Sequence, residues 1–144
     1  MSENIIDKKQ RQRLVEAIQK AEKNTSGEIR VHIENSCSEE LMDRAAFLFE
    51  KLQMHKTELR NGVLFYVAMK DRVFAILGDA GINSKVPEGF WDTIKERMTL
   101  LFQNNDPVGA IETGILMAGE QLKAHFPYQT DDVNELSDDI SFGN

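Results

Sequence analysis

The chain has 144 residues, 41% of them hydrophobic and 28% charged, which fits one domain with a real apolar core. Its formal net charge is −7, of which residues 128–144 supply −5, with no Lys or Arg, leaving −2 on the rest; such a balance argues against nucleic acid or an anionic membrane as partner. No apolar run reaches the roughly 20 residues of a membrane span, the N-terminus MSENIIDKKQRQR lacks the apolar stretch of a secretory signal, and Cys37 is alone, so the expectation is a cytoplasmic protein with no membrane anchor.

Residues 4–24 carry Leu14, Val15, Ile18 and Ala21 at helical spacing, and Asn24-Thr25-Ser26-Gly27 ends that helix. Residues 28–34 alternate strictly. Ile29, Val31 and Ile33 belong to the core face, and Glu28, Arg30, His32 and Glu34 are expected to face solvent. Ser36 and Glu39 offer a capping box for a helix to about Met54, with Leu41, Ala45, Leu48 and Leu52 on one face. Residues 63–69 are continuously apolar and predict a central strand buried on both faces. Residues 73–77 predict its antiparallel partner across the short Lys70-Asp71-Arg72 connection, whereas the helical link between the first two strands predicts a parallel pair. A Gly-, Asp- and Asn-rich loop follows Gly78. Helices are then expected over about 88–104, packing through Phe90, Trp91, Ile94, Met98, Leu101 and Phe102, and from Asp106-Pro107 to about His125. Gly109, Gly114 and Gly119 inside the last helix predict close approach of a neighbour, since each costs up to about 1 kcal/mol against Ala. The order αβαββαα defines an α/β sandwich over residues 1–127, a small mixed sheet covered by helices on both faces. Residues 128–144 read as an acidic, disordered tail.

Strand polarity places Ser26-Gly27-Glu28, Arg60-Asn61-Gly62 and Gly78-Asp79-Ala80-Gly81 at one end of the sheet. Glu28, Asn61, Asp79, Asn83 and Glu88 gather oxygen ligands there, of the kind that suit Ca²⁺ or Mg²⁺. The same residues also suit ordinary strand-end turns with solvated acids. Other chemistry has less support. His32, His55 and His125 lie far apart, with no Cys or His at metal-ligand spacing, and His32 falls on the outward face of its strand. Cys37 reads as incidental, and Phe90-Trp91 as a core anchor. Gly78-Asp79-Ala80-Gly81 lacks the Lys-Ser/Thr of a phosphate loop.

The succession Ser26-Gly27-Glu28-Ile29-Arg30-Val31, Arg60-Asn61-Gly62-Val63-Leu64, Gly78-Asp79-Ala80-Gly81-Ile82 and Phe90-Trp91 resembles the TPM domain family over about residues 5–127. The resemblance implies an α/β sandwich and brings with it accessory roles, calcium binding and phosphatase activity. It marks Asn61, Asp79 and Glu88 as metal-site residues, and strand polarity puts Glu28, Arg60, Gly62, Gly78, Gly81 and Asn83 at the site edge. Arg60 stands where the family often has an acid, and Glu88 where it often has Asp, so a divalent cation would bind weakly. Two functions follow as expectations. One is a binding or accessory module for a protein partner. The alternative is a metal-assisted phosphoester hydrolase, in which Asp79 and Glu88 hold the cation and Arg60 stabilises transition-state charge.

Overall fold

The computed structural model describes residues 5–128 and 136–143. Helix α1, Lys8–Glu22, is opened by Asp7, whose side chain accepts from the Gln10 N–H while the Gln10 side chain accepts from the Asp7 N–H. This reciprocal pair satisfies two of the amides a helix start leaves open. Strand β1 spans Glu28–Glu34. Helix α2 covers Leu41–Lys51, shorter than expected at both ends. Its cap is Glu40, which accepts from the N–H groups of Met42 and Asp43. The Ser36–Glu39 box does not start the helix: the Cys37 N–H is held at 2.7 Å by the Asp71 carboxylate of the next hairpin.

Strands β2, Gly62–Ala68, and β3, Val73–Gly78, form that hairpin, with Arg72 in the left-handed region at φ 55°. A loop was expected after Gly78, but a short helix α3, Ala80–Asn83, lies there, capped by Asp79. Helix α4, Asp92–Gln103, begins four residues later than expected, after Gly89 turns the chain at φ 79°. Helix α5, Pro107–Leu122, is capped by Asp106 with Pro at the first helical position, as the sequence indicated. Two of its three glycines receive a neighbouring helix: a Cβ on Gly119 would fall 2.7 Å from the Ala21 Cβ of α1, and one on Gly114 would sit 2.5 Å from Met98 Sδ of α4, whereas Gly109 faces only the helix's own cap, Asp106.

The sheet order is β3-β2-β1-β4, where β4 is Ser141–Phe142. As expected, β1 and β2 pair in parallel over seven residues and β2 and β3 pair antiparallel. The main core lies on one face, where Ile29, Val31, Ile33, Val63, Phe65 and Val67 meet α1, α4 and α5. The other face is smaller, with Leu64, Tyr66 and Ala68 packed beneath Ala45 and Leu48 of α2. Both faces of β2 are therefore buried, which accounts for its unbroken apolar run.

Two expectations fail on β1 and the C-terminus, for one reason. Glu28, His32 and Glu34 do not face solvent but are buried, with Glu34 at 0% exposure. Residues 136–143 are not a disordered tail: they return along β1, and Ser141 and Phe142 pair in parallel with His32 and Ile33. Ile140 enters the main core and Leu136 packs on the smaller one. The three apolar side chains of an otherwise acidic segment thus cover what would be an open sheet edge. The expectation for residues 129–135 lies outside the described residues.

Candidate functional site

The three turns converge as strand polarity required. The Glu28 N–H donates to the Asn61 carbonyl at 3.2 Å, the Asp79 N–H to Gly62 at 3.0 Å and the Gly81 N–H to Arg60 at 2.9 Å. Asn61 is buried, and its Nδ2 donates to the Ser26 carbonyl at 3.1 Å. Gly81 is required by space: a Cβ there would fall onto the carbonyl oxygens of Leu59 and Arg60. The Arg60 backbone is left-handed at φ 52°. Its guanidinium grips the buried Asp79 carboxylate with two hydrogen bonds of 2.8 Å, from Nε and from an Nη.

The expected ligands do not assemble around one point. Asn61 and Asp79 sit together in the turn cluster, but Glu88 is exposed in a separate depression lined also by Asn83, Trp91, Asp92 and Lys95. Glu28 turns the other way, its carboxylate accepting from the Leu136 N–H of the returning C-terminus. Among the described residues, no three His, Cys, Asp or Glu side chains are placed to hold a metal ion. Gly62 and Gly78 serve the turns: a Cβ on the first would meet the Met54 carbonyl at 3.0 Å, and one on the second the Trp91 ring at 3.3 Å.

A second constellation lies at the opposite end of β1, where the sequence reading placed no site. The Glu34 carboxylate accepts from the Tyr66 hydroxyl at 2.6 Å and from Arg44 through Nε at 3.2 Å and through an Nη. His32 Nε2 lies 3.3 Å from the same carboxylate, and its Nδ1 lies 2.7 Å from Ser141 Oγ on β4. A carboxylate only accepts, so in the neutral ring Nε2–H donates to Glu34 and Nδ1 accepts the serine proton. Burial disfavours the charged Glu34, but the hydrogen bonds from Arg44, Tyr66 and His32 outweigh it and hold its pKa below the ordinary carboxylate value. Burial pushes the His32 pKa down, against the pull of Glu34. Burial and the bond to Glu34 push the Tyr66 hydroxyl well up, and Cys37 hydrogen-bonds to it as well. The available signal was Tyr66 itself: a hydroxyl inside a strand buried on both faces needs an acceptor.

Helices over both faces of an open mixed sheet define the fold as an α/β sandwich. The chain belongs to the TPM domain family, whose model matches residues 1–121. It is similar to the BA42 protein of the psychrophilic bacterium Bizionia argentinensis at 43% identity and a TM-score of 0.90, over 95% of this chain and 94% of that one. Since 95% of the chain is more than 121 residues, that likeness runs past the family match. The fold is shared with the N-terminal domain of a P. gingivalis protein, at 16% identity and a TM-score of 0.70 over 87% of this chain and 82% of that one. It is shared too with the N-terminal domain of cg2496 from Corynebacterium glutamicum, at 12% identity and 0.66 over 83% and 75%. No curated protein matches the sequence. No helix among the described residues is long and apolar enough to cross a membrane.

Proposed function

We propose that this TPM domain works as a binding or accessory module for a protein partner, not through a phosphoester-hydrolysing centre. The observation that carries this reading is the bidentate Arg60–Asp79 pair. A hydrolytic cation at the turn cluster would need Asp79 as its anionic ligand. Here the guanidinium already occupies both oxygens of that carboxylate and places a positive charge where the ion would bind. Divalent affinity follows ligand charge, so Ca²⁺ or Mg²⁺ is at most a weak ligand of Asn61 and Asp79.

The test is an NMR titration with Ca²⁺ and Mg²⁺, run beside phosphoester turnover on p-nitrophenyl phosphate. Weak shifts at residues 60–62 and 78–80 are expected. They should become stronger in Arg60→Asp, which removes a repulsive charge and restores an acid. Turnover should be the same in the wild type and in an Asp79→Ala, Glu88→Ala double variant. Metal-dependent turnover that the double variant abolishes would establish the hydrolase instead.

A further inference from the structure

The returning C-terminus shows what the outer edge of β1 accepts. β1 uses all seven residues to pair with β2 but only two, His32 and Ile33, to pair with β4. Along the rest of that edge, residues 136–140 follow β1 without forming a strand, and the chain bends at Asp139. The bend directs the Asp139 carboxylate to Arg11 of α1, with hydrogen bonds of 3.0 and 2.7 Å. Arg11 also lies 5.3 Å from the centre of the Phe142 ring.

Arg30 is left poorly served by this arrangement. It points along the same row as Glu28 and His32, and its buried Nε has no hydrogen-bond partner among the described residues. Continuing the β4 register backwards would set position 139 opposite Arg30; the Asp139 carboxylate attracts Arg30 but gives its hydrogen bonds to Arg11, so the Arg30 Nε–H stays without an acceptor. A buried guanidinium donor without an acceptor costs free energy, so the edge has an unused preference for an anion. The intramolecular occupant fits the edge incompletely.

We infer that the outer edge of β1 is a docking groove for an extended acidic peptide of a partner protein, held in this chain by its own residues 136–143. The peptide adds a parallel strand along Glu28–Ile33. It seats apolar side chains where Ile140 and Phe142 now sit, and it sets a carboxylate against Arg30 as well as Arg11. Arg11 and Arg30 select an acid at the position of Asp139, and backbone pairing demands an extended segment. This inference rests on the binding-module reading and names its surface and partner class.

The probe is the free octapeptide of residues 136–143, added to the isotope-labelled full-length protein. Asp139→Lys places a like charge against Arg11 and Arg30 at an exposed position and so loosens the resident segment without opening the core. Phe142→Ala loosens it by a second route. Both variants should bind the peptide roughly tenfold or more tightly than the wild type, the advantage of a groove no longer self-occupied. Amide shifts should appear in residues 28–34 and at Arg11, while residues 62–68 keep their native spectrum. A peptide with lysine in place of Asp139 should bind neither variant, and Arg11→Glu, Asp139→Lys, in which the exchanged pair holds the resident segment again, should bind the native peptide no more tightly than the wild type. Equal peptide affinity in all proteins, shifts away from β1, or exchange of the segment between two copies to give a dimer would overturn the inference. None of these results bears on phosphoester turnover, so the binding-module reading stands or falls separately.

Discussion

Glu34 is the residue on which the second face of the sheet depends. It is fully buried, yet carries a charge compensated by the Arg44 guanidinium and the Tyr66 hydroxyl. Removing one partner leaves the carboxylate buried and under-served, and that loss exceeds the net worth of the pair. Arg44→Met should destabilise the protein by about 3–5 kcal/mol, the cost of an uncompensated buried charge. Tyr66→Phe should cost about 1.5–3 kcal/mol, one hydrogen bond to a charged group. Urea unfolding of the two variants checks the order. Equal, small losses would mean that water reaches Glu34 and that the network holds little. The bidentate Arg60–Asp79 pair differs, because the Arg60 side chain is half exposed, and solvent screens much of its contribution.

At the scale of elements, glycine positions fix how closely segments approach. Gly81 sits where the carbonyls of Leu59 and Arg60 leave no room for a side chain, and its own N–H donates to Arg60. Those carbonyls belong to backbone and cannot swing aside as a flexible side chain would. Gly81→Ala should therefore cost about 1–3 kcal/mol in stability, the usual range for overpacking. It should also disturb the amides of residues 59–62 and 79–82, which thermal melts and an amide spectrum would detect. An unchanged melting temperature would show that the turn relaxes freely. The strands were the most legible elements. β1 announced itself by strict alternation, and β2 by an unbroken apolar run between two turn signals. What alternation could not say was where the polar face of β1 points. Glu28, Arg30, His32 and Glu34 are as polar as any solvated face, and their covering comes from the segment returning from more than 100 residues away in sequence together, at Glu34, with Arg44 of α2. That segment is two strand residues long, too short for periodicity to register, and its acidic composition resembles that of a solvated end. The start of α2 was shifted by a side chain distant in sequence, the Asp71 carboxylate on the Cys37 amide, and that of α4 by the turn at Gly89. The turn cluster was placed correctly from strand polarity, because polarity is a property of the backbone. Whether Asn61, Asp79 and Glu88 would share a point was not legible, since it depends on the exposed stretch between α3 and α4.

For the molecule as a whole, the two carboxyl groups at either end of β1 set opposite limits on stability. Glu34 has a lowered pKa in the folded state, so its contribution is present above the ordinary glutamate value of 4.5 and is lost as pH falls through the lowered one. Glu22, at the end of α1, behaves in the reverse sense. Its pKa is pushed up to about 9, chiefly by burial and then by its hydrogen bond to Asp138, with Glu28 adding repulsion. One of its oxygens accepts from the Ile29 N–H at 2.8 Å, so the protonated acid can receive that bond and donate its proton to Asp138. The folded state holds this proton while the unfolded chain releases it from about pH 4.5 upward. Stability from Glu22 is therefore complete below that pH and declines up to about pH 9, where the folded form releases the proton too. Deprotonation sets Glu22 against Asp138 and Glu28, which loosens the C-terminal segment from the start of β1. Glu22→Gln copies the protonated acid: its carbonyl can accept from Ile29, its amide can donate to Asp138, and it carries no charge at any pH. The variant should melt close to the wild type at pH 4.5 and increasingly above it as pH rises toward 9. Amides of residues 136–140 should exchange faster in the wild type than in the variant at the alkaline end. A constant difference in melting temperature across this range would mean that Glu22 is ionised throughout and that the C-terminal segment is held by its apolar anchors alone.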